Sequence, residues 1–159
     1  MLRVRLKYLW SMQQIKPENN IERFVEAQEC RWADYDRALS EIAEGQKRSH
    51  WMWYIFPQLR GLGRSDMAYF YGISGMEEAV EYFNHPKLGP RLREIAGVLL
   101  TYAGSNIVEI MGPVDSIKLR SSMTLFYRAS GYTPFATVLE AFFGGEECSQ
   151  TLSILAQER

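Results

Sequence analysis

Lys47, Arg48 and His50 stand directly before a run of large apolar and aromatic residues, Trp51-Met52-Trp53-Tyr54-Ile55-Phe56, and Gln58, Arg60 and Arg64 follow it. Cations and an imidazole beside rigid aromatic faces are suited to holding an anionic group while a flat ring stacks. Gly61-x-Gly63 then runs into Ser65, where a tight turn and a helix start would offer backbone N–H donors to a phosphate. The spacing is neither a P-loop, which ends in Gly-Lys-Ser/Thr, nor a dinucleotide fingerprint, which follows a strand. A plain turn before a capped helix accounts for the same residues. His50 reads equally as a pocket residue or as a core histidine with a satisfied ring. Trp51 and Trp53 read as ligand platforms or as core.

A second polar group lies far along the chain. At about 100° per residue, Asp115, Lys118 and Ser122 share a sector with Leu119, Leu125 and Phe126, while Arg120, Thr124 and Arg128 lie opposite. Polar groups on an inward face are costly unless they pair or serve a ligand. A local Asp115–Lys118 pair at i, i+3 would be the purely structural account. Glu41, Glu44, Asp66, Glu77 and Glu78 are acidic candidates for proton transfer, but no spacing singles one out, so no catalytic residue is assigned.

The elements that must position these groups are helical. Ile21, Phe24, Val25 and Gln28 fit one helical face behind an Asn20 N-cap. Trp32, Tyr35, Leu39 and Ile42 continue at helical spacing until Gly45. Ser65 would cap a short helix over 66–71. Ser74 and Glu77 form a capping box ahead of Ala79, Val80 and Phe83. Asn84 or His85 would cap the long stripe of Leu88, Leu92, Ile95, Leu99 and Tyr102. Pro113 opens a helix to about Ser130, Thr133-Pro134 opens the next, and Gly144-Gly145 closes it. Ser149 would cap a last helix with Leu152 and Leu155 inward. No alternating run is bounded by hairpin turns, so the expected fold is mainly α, a single-domain bundle of short helices.

The chain has 159 residues, a net charge of −1 and 47% hydrophobic residues. That is one domain's worth, with no global field for nucleic acid or acidic membrane, so neither DNA nor a membrane is an expected partner. Cys30 and Cys148, His50 and His85 lack metal-ligand spacing, and no metal or other cofactor is expected. Two distant thiols fit a reducing, cytoplasmic setting. Residues 1–19 mix basic and apolar residues without a continuous apolar stretch. They read as a loosely ordered extension, with a membrane-surface helix as the other possibility, ahead of a single domain over 20–159. Composition fixes no oligomeric state.

Several segments resemble a bacterial family, the domain-of-unknown-function 1810 family, sometimes labelled calpastatin. They include Arg23-Phe24-Val25-x-Ala27-Gln28, Gly45-x-Lys47-x-Ser49-His50-Trp51-Met52-Trp53 and Phe56-Pro57-Gln58-Leu59-x-Gly61-Leu62-Gly63-x-Ser65. His85-Pro86-x-Leu88-Gly89-x-Arg91-Leu92 and Asp115-x-x-Lys118-x-x-Ser121-Ser122-Met123-Thr124-Leu125-Phe126 extend the likeness, which runs from about Ile21 to the C-terminus. The resemblance implies a mainly helical cytoplasmic protein and no known activity. The calpastatin label does not suit a chain this apolar and aromatic, because calpastatin is disordered. Small helical glycohydrolases of ADP-ribose-like groups are similar in composition, mixing tryptophans, a lysine and acidic residues. They suggest cleavage or binding at a nucleotide-sugar bond, with a carboxylate stabilising an oxocarbenium-like state.

The candidate ligand-binding set is therefore Lys47, His50, Trp51, Trp53, Gln58, Gly61, Gly63, Ser65, Asp115, Lys118 and Ser122. Its polar members, from three segments, are expected around one concavity with an anion near Ser65. The expected partner is a small anionic or nucleotide-like ligand. The competing reading is a non-enzymatic interaction module that anchors a protein through an exposed aromatic segment. A shared concavity would favour the first, and a flat aromatic patch the second.

Overall fold

A computed structural model describes residues 20–158. The expectation for residues 1–19 falls outside these. Ten helices make up the described chain: α1 (Glu22–Cys30), α2 (Tyr35–Ala43), α3 (Met52–Ile55), α4 (Asp66–Phe70), α5 (Met76–Asn84), α6 (Leu88–Leu100), α7 (Ile107–Met111), α8 (Pro113–Ser130), α9 (Thr133–Phe143) and α10 (Ser149–Gln157). Among the described residues there is no strand, only an isolated parallel bridge between Leu59 and Ile73. No helix among them is long and apolar enough to cross a membrane.

Local chemistry explains most boundaries. Pro113 supplies a preset φ in the first turn of α8, and Gly131, at φ 68°, ends it in the left-handed conformation that glycine adopts without strain. Lys87, not Asn84 or His85, holds the N-cap of α6, while His85 Nδ1 before it accepts from the N–H groups of Lys87 at 3.1 Å and Leu88 at 3.3 Å. Ser65 caps α4 by accepting from Ala68 N at 3.1 Å.

Two helices form the framework. α8 packs against α5, α7, α9 and α10, while α6 packs against α2, α5 and α9. Leu88, Leu92, Ile95 and Leu99 of α6 are all buried, as its stripe requires. Tyr102 sits beyond the end of α6, and its hydroxyl donates to Ala43 O. The core is rich in aromatics: Phe24 meets Tyr82 edge-on at 5.1 Å, and Tyr82 meets Phe126 at 5.0 Å. A buried ion pair fastens α1 to α5: Arg23 reaches both Glu78 oxygens, at 2.7 and 2.9 Å.

Several boundaries differ from expectation. Trp32 is not part of the α2 stripe. Asp34 breaks the helix by accepting from Arg37 N at 2.9 Å, and Trp32, 71% exposed, lies under the Arg37 guanidinium. The Ser74–Glu77 capping box does not form. Gly75 holds the N-cap of α5, Glu78 accepts from Ser74 N, and Glu158 accepts from Met76 N. Tyr132 and Cys148, each one residue before the expected cap, hold the N-caps of α9 and α10. Thr124, expected on the outer side of α8, is fully buried because helices cover α8 on several sides.

Candidate functional site

After α2 the chain turns at Gly45, whose φ of 76° suits glycine. The next six residues have no helix to satisfy their backbone. Glu41, one turn before the end of α2, does much of that work. Its carboxylate accepts from Arg48 N at 2.9 Å, Ser49 N at 3.0 Å, Trp51 Nε1 at 2.8 Å, and Ser49 Oγ. Burial pushes the Glu41 carboxyl up, but the donated hydrogen bonds together outweigh it and hold the group below its ordinary value. Lys47 N donates to Ile110 O at 2.7 Å, tying the same turn to α7.

This anchoring places Lys47 and His50 opposite the first turns of α8. Lys47 Nζ lies 2.9 Å from Asp115 Oδ2, donates to Ser49 O at 2.6 Å, and sits 4.8 Å from the centre of the Trp51 ring. Lys118 Nζ is 3.9 Å from Asp115 Oδ1 and 5.5 Å from the Trp53 ring centre. His50 is exposed at the rim, its ring 6.5 Å from that of Trp53. Together with the Met111–Val114 turn these groups line a cleft of about 290 Å³. Two ammoniums face one carboxylate, so the lysines of the cleft outnumber its carboxylates by one. Among the described residues no group of three His, Cys, Asp or Glu side chains lies close enough to hold a metal ion.

The structure thus brings Lys47, His50, Trp53, Asp115 and Lys118 together and places the other candidates elsewhere. Trp51 is fully buried with its indole N–H committed to Glu41, so it backs the cleft and offers no face to a ligand. Ser122 is fully buried one turn deeper in α8, and its hydroxyl has no hydrogen-bond partner among the described residues. Ser65 is exposed and its hydroxyl is spent on capping α4, a helix of five residues whose first turn already holds Asp66. Gly61 is exposed at φ 100°. Gly63 is needed for packing: a Cβ there would stand 2.5 Å from Ala68 Cβ. Arg60 is drawn to Tyr69, donating to its carbonyl at 3.0 Å. Gln58 lies beyond Trp53, in a separate small void that Lys118 also borders.

A larger groove, about 560 Å³, runs past Trp32, Arg37, Glu44 and Arg48. Its cations are already engaged, Arg48 with Glu44 at 2.5 Å and Arg37 stacked 4.0 Å from the Trp32 ring centre. The smaller cleft is the better site because its positive charge exceeds its negative.

A family profile for proteins of unknown function, DUF1810, matches residues 18–155. The chain belongs to the DUF1810 family. The crystal structure of the conserved hypothetical protein Rv1873 from Mycobacterium tuberculosis is similar, with a TM-score of 0.81 and 48% identity over 85% of this chain and 95% of that one. No functionally curated protein matches. The cleft residues Lys47, His50, Trp53, Asp115 and Lys118 all fall within the matched span. Glu41 is the functional residue that sequence reasoning left undistinguished from other acids. A signal for it exists in the chain: an acid one turn before a helix stop can reach the N–H groups of the following turn.

Proposed function

We propose that the cleft between the 47–53 segment and the first turns of α8 binds a phosphorylated or nucleotide-like small molecule, of the ADP-ribose type. The observation that carries this reading is Lys118. It lines the cleft, makes no hydrogen bond among the described residues, and stands at the outer limit of an ion pair with an Asp115 already engaged by Lys47. An ammonium so placed suits an incoming anion, and the partly exposed Trp53 ring beside it suits a sugar or base. A cleft of about 290 Å³ matches the low end of ligand pockets, roughly 300 Å³, so it suits a sugar phosphate or one end of a dinucleotide.

Asp115 extends the reading towards chemistry. Lys47 and Lys118 hold its carboxylate at the cleft wall. A carboxylate there could stabilise an oxocarbenium-like state at an anomeric carbon, which would make the protein a hydrolase of a nucleotide-sugar bond. Burial of Trp51, Tyr54 and Phe56 supports the ligand-binding reading over an interaction module anchored through the aromatic segment.

The test is a thermal-shift series with inorganic phosphate, ribose 5-phosphate, ADP-ribose and NAD. A ligand at about one hundred times its dissociation constant adds about 2.7 kcal/mol, an upward shift of several degrees. Lys118→Met should cut the shift to about half or less. No stabilisation by any of the four, or an equal shift in the variant, would remove the basis for this reading.

A further inference from the structure

Trp53 separates two concavities. On one side is the cleft; on the other is a void of about 10 Å³, bordered by Trp53, Met52, Gln58, Ala68, Tyr71 and Lys118. Met52, Trp53 and Lys118 line both. A volume near 10 Å³ admits about one water-sized group.

Three side chains that border the void make no hydrogen bond among the described residues. Trp53 Nε1 is buried and has no hydrogen-bond partner among the described residues. The Gln58 side-chain amide makes no hydrogen bond there either; only its backbone carbonyl is used, accepting from Ile73 N at 2.9 Å. Lys118 Nζ makes none, its closest carboxylate contact being Asp115 at 3.9 Å. The chain's equivalent indole and amide groups are satisfied: Trp51 Nε1 has Glu41, and the buried Gln28 amide donates to Tyr54 O at 2.7 Å and Tyr82 Oη at 3.0 Å. Buried polar groups are ordinarily paired, so the buried, unbonded Trp53 Nε1, with the half-exposed Gln58 amide and Lys118 ammonium on the same void, marks a place built for a partner.

The chemistry of that partner follows from the donor inventory. An indole N–H and an ammonium can only donate, and the amide can donate or accept. We infer that the ligand site continues past Trp53 and Lys118 into a subsite that takes one unprotonated acceptor oxygen, a carbonyl, carboxylate or phosphoryl oxygen, on Trp53 Nε1, Lys118 Nζ and the Gln58 amide. This rests on the ligand-binding reading of the cleft and narrows it: the ligand carries, besides the anion met in the cleft, an acceptor oxygen that enters the subsite. A cationic group, or one that only donates, is excluded by two obligate donors. Trp53 and Lys118 set the selection for an acceptor, and Gln58 strengthens it by turning its NH2 to the same oxygen from a wall that a hydrocarbon could equally fill.

The test is a two-dimensional ¹⁵N–¹H titration of the intact protein. The indole signal of Trp53 is identified by its loss in Trp53→Phe, and the Gln58 side-chain amide by its loss in Gln58→Met. Three probes are added separately: inorganic phosphate for the cleft, acetone as a neutral acceptor, and methylammonium as a donor without an acceptor. The expected result is saturable movement of the Trp53 indole and Gln58 amide signals with acetone and none with methylammonium. Gln58→Met should weaken the acetone response at Trp53 at least fivefold. The subsite is refuted if acetone leaves both signals in place, or if methylammonium moves them as far. Phosphate separates the two failures: movement of the Lys47 and His50 backbone amides with an unmoved Trp53 indole in acetone refutes the subsite alone. Silence to phosphate as well refutes the cleft reading with it.

Discussion

Two ion pairs in this molecule use the same charges for opposite ends. Arg23 and Glu78 meet through two contacts, and their side chains are 0% and 6% exposed. Arg23 also donates to Phe70 O at 2.8 Å and Gly72 O at 2.9 Å, and Glu78 accepts from Ser74 N at 3.1 Å. The site is closed, and its product is a fixed 70–74 segment, from the end of α4 towards α5, fastened to α1. Lys47 and Asp115 meet through one contact at 2.9 Å, with 7% and 20% exposed, and Lys118 stands by as a second cation. This site is open on one side and carries more positive than negative charge. A polar cluster whose donors, acceptors and charges all cancel builds structure, whereas one that leaves a surplus facing a concavity can take a ligand.

The contrast can be broken at the closed site first. Glu78→Ala strands the Arg23 guanidinium in the core and should cost about 3–5 kcal/mol in urea unfolding. A loss under about 1 kcal/mol would mean that solvent reaches the pair. Leu92→Ala, in the buried stripe of α6, should cost about 2–5 kcal/mol and checks that the framework beneath both sites is as rigid as its packing implies.

Glu41 lies between the two cases, since it is satisfied but supports the open site. Glu41→Ala leaves four donors without their acceptor and should cost about 1–3 kcal/mol or somewhat more. The pH dependence has a definite sign. Because its folded value lies below 4.5, the ordinary value, Glu41 contributes stability that is fully present above about pH 4.5 and is lost as pH falls through the folded value. Unfolding of wild type should therefore become easier on acidification through that window, and less steeply in Glu41→Gln. Equal slopes would show that other carboxylates control the acid limb. The smallest effect on stability belongs to the open site: Lys118→Met should move the denaturation midpoint by no more than about 0.5 kcal/mol, because no hydrogen bond is lost.

Much of this contrast was legible in the sequence. The polar interruption of α8 at Asp115 and Lys118, and the cations before Trp51, pointed to a shared concavity, and Pro113 and Ser65 marked helix starts that the structure keeps. What failed depended on tertiary partners. Trp51 and Trp53 are two residues apart and alike in type, yet one donates to Glu41 from the core and the other walls the cleft; only the turn geometry after Gly45 decides between them. Ser122 is spaced like Lys118 on α8, but the helix runs inward, so one further turn takes it out of reach. Ser74 and Glu77 match a capping box, and Glu78 and Glu158 outcompete it from positions no local pattern reveals. The short helices α3 and α7 are too brief to show periodicity and are held by their neighbours.

Calorimetric titration of wild type and Lys118→Met with ADP-ribose tests the central claim most directly. Saturable binding to wild type is predicted, with at least tenfold weaker binding to the variant, a difference of about 1.4 kcal/mol or more, and a preserved unfolding midpoint. Equal affinity in the two proteins, or no binding to wild type by ADP-ribose or by ribose 5-phosphate titrated alongside it, would contradict the claim that Lys118 meets a phosphorylated ligand in this cleft.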